Sequence, residues 1–240
     1  MNTFSKLLVC SGLILAGTAF AQFGEPVPVW QSMKIIQTVE PVFPFLLTQQ
    51  AITNGEAHVA INTDATGKLT EWLVVGYSRR EFANAVLEVL KEWKFEPARL
   101  HGTPVGTTIE IFFYFEAKGV VVSTTMLDSL EGLLKFADSR YAYRPCTLRE
   151  LDRIPTPLVS VKPFYSEELV KKGMRGKVTV DFYITEEGLV RLPSVSPYDD
   201  SQLTALAIEA LRQWKFEPPT RNGKPILVKA SQVFNFSPAQ

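Results

Sequence analysis

A five-residue string occurs twice in this chain. Trp93-Lys94-Phe95-Glu96-Pro97 returns letter for letter as Trp214-Lys215-Phe216-Glu217-Pro218, 121 positions later. The same offset, without a gap, aligns Gly55 with Gly176, Val59 with Val180, Gly67 with Gly188, and Leu90 with Leu211. It also aligns Gly102 with Gly223, Pro104 with Pro225, Phe113 with Phe234, and Phe115 with Phe236. A chance identity containing tryptophan would not bring matched glycines and aromatics with it, so the chain holds two copies of one fold unit. Each copy is roughly 75 residues, small but large enough for a core of its own.

The two copies share one grammar. Residues 45–53 and 165–172 read as short helices; in the second, Ser166 caps, Glu167 and Glu168 suit the first turn, and Lys171 and Lys172 suit the last. Val178, Val180, Phe182 and Ile184 then alternate with Thr179, Asp181 and Tyr183, as in a half-buried strand. Thr66-Gly67 and Glu187-Gly188 fall where a hairpin needs positive φ. Second strands follow near Leu69–Val75 and Leu189–Ser196. Leu203, Leu206, Ala207, Ala210, Leu211 and Trp214 recur at helical spacing, as do Ala83, Val86, Leu87, Leu90 and Trp93. Last strands lie near Thr107–Phe115 and Ile226–Phe236. The expected fold is α+β: two tandem α-β-β-α-β domains, each with helices on one face of a three-stranded antiparallel sheet.

The chain has 46% hydrophobic residues and 16 Phe, so extensive disorder is excluded. Formal net charge is zero, so no global field recruits nucleic acid or an anionic membrane. Residues 1–21 read as a signal peptide: Lys6, an apolar run from Leu7 to Phe20, and small residues at Ala19 and Ala21. That run is shorter than the roughly 20 residues a spanning helix needs, which favours cleavage over an anchor. Cleavage after Ala21 leaves Gln22 first and no membrane span. Cys10 departs with the signal, and Cys146 remains alone as a buried or linker thiol.

Enzymatic patterns are missing. His58 sits on a strand and His101 in a turn, and copy two has Thr179 and Asn222 in their places. No zinc-ligand spacing, nucleophile elbow or phosphate loop occurs, so no catalytic, cofactor-binding or metal residues are assigned. Asp199-Asp200 precedes Ser201 at a helix start, where capping explains the acidic pair. The WKFEP string itself reads as core: Trp and Phe fill the space where the helix ends, and Pro stops it.

Gly176-Lys177-Val178-Thr179-Val180-Asp181-Phe182, Glu187-Gly188-Leu189-Val190, Trp214 to Pro218 and Gly223-Lys224-Pro225-Ile226 together resemble the C-terminal domain family of TonB. The first copy matches at Gly55, Val59, Gly67, Trp93 to Pro97 and Gly102 to Val105, and the likeness spans about residues 39–116 and 157–238. The aromatic-proline pair before the first helix is Phe43-Pro44 in copy one and is reordered to Pro163-Phe164-Tyr165 in copy two. The resemblance implies a non-enzymatic, periplasmic module that needs no cofactor. Its implied partner is an extended peptide of an outer-membrane receptor or envelope protein, recognised by β-strand addition in TonB-dependent transport. The implied partner-binding edge is Leu227, Val228, Lys229, Ala230, Ser231, Gln232 and Val233, with Thr107 to Ile111 as its counterpart in copy one. Two alternatives stay open: a membrane-anchored energy transducer, and an envelope scaffold with no free edge.

The expected organisation is signal peptide 1–21, domain one 22–116, connector 117–156 and domain two 157–240. Within the connector, Thr124 to Phe136 carries Met126, Leu127, Leu130, Leu133 and Leu134 at helical spacing, and Arg144 to Pro157 reads as an extended linker. Copy one reads as apolar on both sheet faces, through Phe112, Tyr114 and Trp72, so that helix is expected to cover the outer face. Copy two, with Thr179, Asp181, Tyr183, Arg191 and Asn235, is expected to leave its outer face in water.

Overall fold

The computed structural model describes residues 29–126, 141–196 and 202–237. Residues 1–21, the stretch from Leu127 to Phe136 and Asp199-Asp200, on which the signal peptide, the connector helix and the capping pair fall, lie outside them.

Copy one opens with helix α1 (Phe45–Gln49), followed by strands β1 (Asn54–Thr63) and β2 (Leu69–Tyr77). Helix α2 (Arg80–Leu90) and strand β3 (Thr107–Glu116) complete the expected order. Strand β1 is central, antiparallel to both β2 and β3, with Val59 opposite Ile111 and Ile61 opposite Ile109. These side chains, Phe113 and Phe115 face α2, where Phe82, Val86 and Leu90 close the core.

Copy two repeats the plan with helix α3 (Glu167–Lys171), strands β5 (Gly176–Ile184) and β6 (Val190–Ser194), helix α4 (Gln202–Arg212) and strand β7 (Val228–Phe236). Its sheet order is β6-β5-β7, and Val178, Val180, Phe182, Ile184 and Phe234 meet Leu203, Ala207 and Leu211 from α4.

The repeated string is structural in both copies. Trp93 donates its indole N–H to the carbonyl of Val39, and Trp214 donates to Val161, each at 2.8 Å. Each tryptophan thereby ties the incoming segment to the end of the long helix. Trp93 is buried; Trp214 is only half-buried, less than the sequence suggested. Gly67 (φ 84°) and Gly188 (φ 80°) sit against the Phe95 and Phe216 carbonyls, where an added Cβ would fall 2.2 and 2.0 Å from the oxygen.

Two features differ from the sequence reading. Thr124 to Met126, expected to begin a helix, belong to strand β4 (Gly119–Met126), which pairs antiparallel with β3 and gives copy one a fourth strand. The run Val120-Val121-Val122-Ser123-Thr124-Thr125 is rich in β-branched residues, and β3 offers it an open ladder.

The second difference is what covers the outer face of copy one. Strand β6 lies across β2, β1 and β3. Leu192, Tyr183 and Leu227 of copy two pack with Ala60, Val75 and Phe112 of copy one in a shared third cluster. Trp72 lies on the other face, with the α2 core, because it pairs with inward-facing Ile61. Tyr183 and Arg191, read as solvent-facing, are therefore junction residues. Tyr183 donates to Glu110 at 2.6 Å, and Arg191 pairs with Glu71, which Arg212 also approaches at 3.7 Å. Lys229 sits 3.2 Å from Glu110. Burying charges costs several kcal/mol even when they are paired. Buried apolar side chains at about 1.5–3 kcal/mol each offset that cost. The junction is held by Phe112, Leu192 and Leu227, and the ion pairs fix its register.

Candidate functional site

A strand edge can recruit a guest only if its outward N–H and C=O groups are unpaired. The last strand of each copy is where that question is decided, and the copies answer differently.

In copy one, β4 occupies the edge. Ile109, Glu110 and Ile111 stand opposite Met126, Thr125 and Thr124, while Thr107 and Thr108 lie beyond the paired stretch. The hairpin is tight, with Glu116 opposite Gly119. The new outer edge is partly capped as well, since the Glu40 carboxylate accepts the Val120 N–H at 3.0 Å.

In copy two, β7 pairs with β5 along its whole length without a register shift, from Gly176 opposite Phe236 to Ile184 opposite Val228. On its other side the linker supplies one residue. Cys146 donates its N–H to the Leu227 carbonyl at 2.8 Å and accepts from the Lys229 N–H at 3.1 Å. Because Lys229 points its N–H away from β5, alternation sends Ser231, Val233 and Asn235 the same way. Val228, Ala230 and Gln232 point theirs toward β5. Among the described residues, no backbone group pairs with the outward side of Ser231, Val233 or Asn235. Within Leu227 to Val233, then, Cys146 takes the Leu227 carbonyl and the Lys229 N–H, and Val228 faces β5. Ala230 and Gln232 are turned inward, Ser231 is open, and Val233 keeps an open N–H while its carbonyl accepts the Gln232 side-chain amide at 2.9 Å. Asn235, which the sequence reading left out, extends the open row.

The plug at Cys146 is held in place by its surroundings. Cys146 is buried in the copy-two core. Four residues on, Glu150 takes a 2.7 Å hydrogen bond from Arg144 and also accepts the Thr147 N–H at 2.9 Å, closing a 3₁₀ turn over Leu148–Glu150. The Arg144 guanidinium, first, and the Thr147 N–H bring the Glu150 carboxyl down to about 2. Upstream, Tyr143 stacks on Tyr77 of β2 at 5.0 Å and donates to Glu186 at 2.5 Å. Burial, then that carboxylate, pushes the Tyr143 hydroxyl well above its ordinary range. The linker is thus stitched to both copies. Nothing in its sequence announces this, because the partners lie far along the chain.

Along the open row Ser231 and Asn235 are polar, and Val233 is an exposed apolar side chain. Ser231, Val233 and Asn235 are exposed, as is Thr179 on β5, and Ser231 donates to Asp181. Among the described residues no group of three or more His, Cys, Asp or Glu side chains is placed to hold a metal ion. None of their helices is long and apolar enough to cross a membrane.

Residues 39–117 and 161–238 match the family described as Gram-negative bacterial TonB protein C-terminal, once for each copy. Among solved structures, the solution NMR structure of Pseudomonas aeruginosa TonB CTD is similar, with 27% identity and a TM-score of 0.33. That likeness covers 40% of this chain and 95% of the other. Comparison with curated proteins gave no match.

Proposed function

Given that the chain belongs to the TonB C-terminal family, matched over both copies, we propose that it is an exported, non-enzymatic binding module. It captures an extended segment of an outer-membrane receptor or envelope protein along β7, in the service of TonB-dependent transport. The observation that carries this reading is the open row at Ser231, Val233 and Asn235, on a strand otherwise fully laddered to β5. A guest strand gains main-chain hydrogen bonds there whatever its side chains, and the flanking side chains tune the choice. Copy one, closed by β4 and covered by β6, serves as the base on which copy two is mounted.

The proposal includes removal of residues 1–21, so that the mature chain begins at Gln22. The remainder comprises two family units joined by residues 117–156, of which Gly119–Met126 strengthens the first sheet. Recovery of intact Met1 chain from purified inner membranes would instead support an anchored transducer.

Proline is the sharp probe, because it removes one backbone donor. Val228→Pro and Ala230→Pro would strike the inward ladder and damage the sheet itself. Val233→Pro removes an outward N–H and leaves the bonds to β5 in place. It is expected to weaken binding of a receptor-derived extended peptide by about tenfold or more, with circular dichroism unchanged. Unaltered affinity in a folded Val233→Pro chain would refute edge recognition. A scaffold reading is favoured by one observation, the closure of copy one by β4 and β6; it requires that no extended peptide bind at all.

A further inference from the structure

The linker crosses the start of the open row of β7 and is fastened on both sides of it. Upstream, Tyr143 exchanges backbone hydrogen bonds with Tyr77 of β2, donating at 3.1 Å and accepting at 3.0 Å. Cys146 then bridges Val228 of β7, running parallel to it. Downstream, Asp152 donates its N–H to the Thr220 carbonyl at 2.9 Å. Its carboxylate accepts the Asn222 and Gly223 N–H groups at 2.7 and 2.9 Å. A bond to copy one and a bond to the candidate edge are thus three positions apart in the same short segment.

A parallel strand that continued past Cys146 would next give the Leu148 N–H to the Lys229 carbonyl and take the Ser231 N–H on the Leu148 carbonyl. Among the described residues it does neither. Thr147 and Glu150 close a capping box instead, and the 3₁₀ turn Leu148–Glu150 diverts the chain while resting against β7. Leu148 and Leu151 pack on the copy-two core. Glu150 lies between Arg144 at 2.7 Å and Arg221 at 3.7 Å, and Arg221 also reaches the Cys146 thiol at 3.6 Å. The ladder is begun, stopped after one step, and walled by a packed turn.

The repeat supplies an internal comparison. In copy one, β4 pairs with Ile109 through Glu116 and stops short of Thr107 and Thr108. At the offset of 121 those two positions are Val228 and Lys229, where the linker sits. The linker therefore closes the end of the strand that the copy-one hairpin leaves uncovered, and leaves open the end that the hairpin closes.

We propose that the linker is a register stop for the guest strand: its turn ends the guest ladder at Ser231, and copy one sets that limit by holding Tyr143. This rests on strand addition at β7 and fixes where along the edge a guest must end. A tether between domains needs no ladder bond to an edge strand. A guest growing toward Leu227 finds Cys146 already on the Leu227 carbonyl and the Lys229 N–H, with the turn beside them. Displacing them means drawing the buried Cys146 side chain out of the core and breaking the Arg144–Glu150 pair. One further pair of main-chain hydrogen bonds does not offset that loss.

The test uses the purified full chain and a series of β-branched extended peptides of about four to ten residues, read by fluorescence anisotropy and by amide exchange. In the parent, affinity is expected to rise with length and then level off, with the Cys146 amide still protected at saturating peptide. Arg144→Ala/Glu150→Ala and, separately, Tyr143→Ala are expected to speed exchange at Cys146 and move the plateau to longer peptides. The longest peptide should then bind about three- to tenfold tighter than in the parent, with short-peptide affinity and circular dichroism unchanged. A plateau at the parent length in either variant overturns the inference, and so does a parent whose Cys146 amide is exposed by the longer peptides. In both cases protection of the Ser231 and Val233 amides by peptide leaves strand addition standing. If no peptide protects those amides, strand addition and the stop fall together.

Discussion

Tyr183 of the second copy donates its hydroxyl to Glu110 of the first at 2.6 Å, and both side chains are fully buried. Burial, then the facing carboxylate, holds the Tyr183 hydroxyl well above its ordinary range, so it remains a donor at any physiological pH. Lys229 supplies the balancing charge to the same carboxylate oxygen, and among the described residues the second oxygen of Glu110 has no hydrogen-bond partner. The two copies are thereby joined as one body rather than strung on a tether.

Removal of either partner should be felt by the whole chain. Tyr183→Phe is expected to cost about 1–3 kcal/mol, the penalty for leaving a buried acceptor short of a donor. Lys229→Met is expected to cost more, about 3–5 kcal/mol, because it strands a buried carboxylate. Urea denaturation followed by tryptophan fluorescence checks both, and a loss below about 0.5 kcal/mol for Lys229→Met would mean the junction opens freely in solution.

The two tryptophans of the repeated string should differ in cost. Trp93→Ala is expected to destabilise by about 3–5 kcal/mol, as for a large buried aromatic. Trp214→Ala, at a half-buried site with the same indole-to-carbonyl bond, should cost less. Gly188→Ala should cost about 2 kcal/mol or more, since its φ is positive and its Cβ would meet the Phe216 carbonyl. Chemical denaturation of the three variants sets the order.

The plug at Cys146 should loosen in acid. The Glu150 carboxyl lies lower in the folded chain, at about 2, than its ordinary value of 4.5. An unfolded chain therefore takes up the proton first as pH falls. The contribution is present above pH 4.5 and is lost as pH drops toward 2. Glu150→Gln should flatten that part of the stability curve and leave the region above pH 6 parallel to the parent. An unchanged acid limb in the variant would show that Glu150 does not anchor the linker.

Much of the fold was legible because both copies obey local rules. The inward set Val178, Val180, Phe182 and Ile184 follows from alternation alone, and so does the apolar stripe of α4. The need for a cover over Phe112 was legible too. Its identity was not, because Tyr183 and Arg191 look like solvent-facing residues until Glu110 and Glu71 are brought opposite them. Strand β4 was misread at its end because Thr124 to Met126 run into an apolar helical pattern, and pairing with β3 overrides that pattern. At the candidate site, the direction in which each amide of the last strand points was not legible. Which amides face outward depends on pairing with Cys146, some 80 residues away in sequence, and no propensity encodes that contact.

Strand addition on β7 is tested most directly by amide hydrogen exchange, read residue by residue with and without a receptor-derived extended peptide. The expected result is new protection at the Ser231, Val233 and Asn235 amides, none at Val122 or Thr124 of β4, and no change at Val228 or Ala230, already bonded to β5. Binding that leaves Ser231, Val233 and Asn235 exchanging as in the free chain would contradict it.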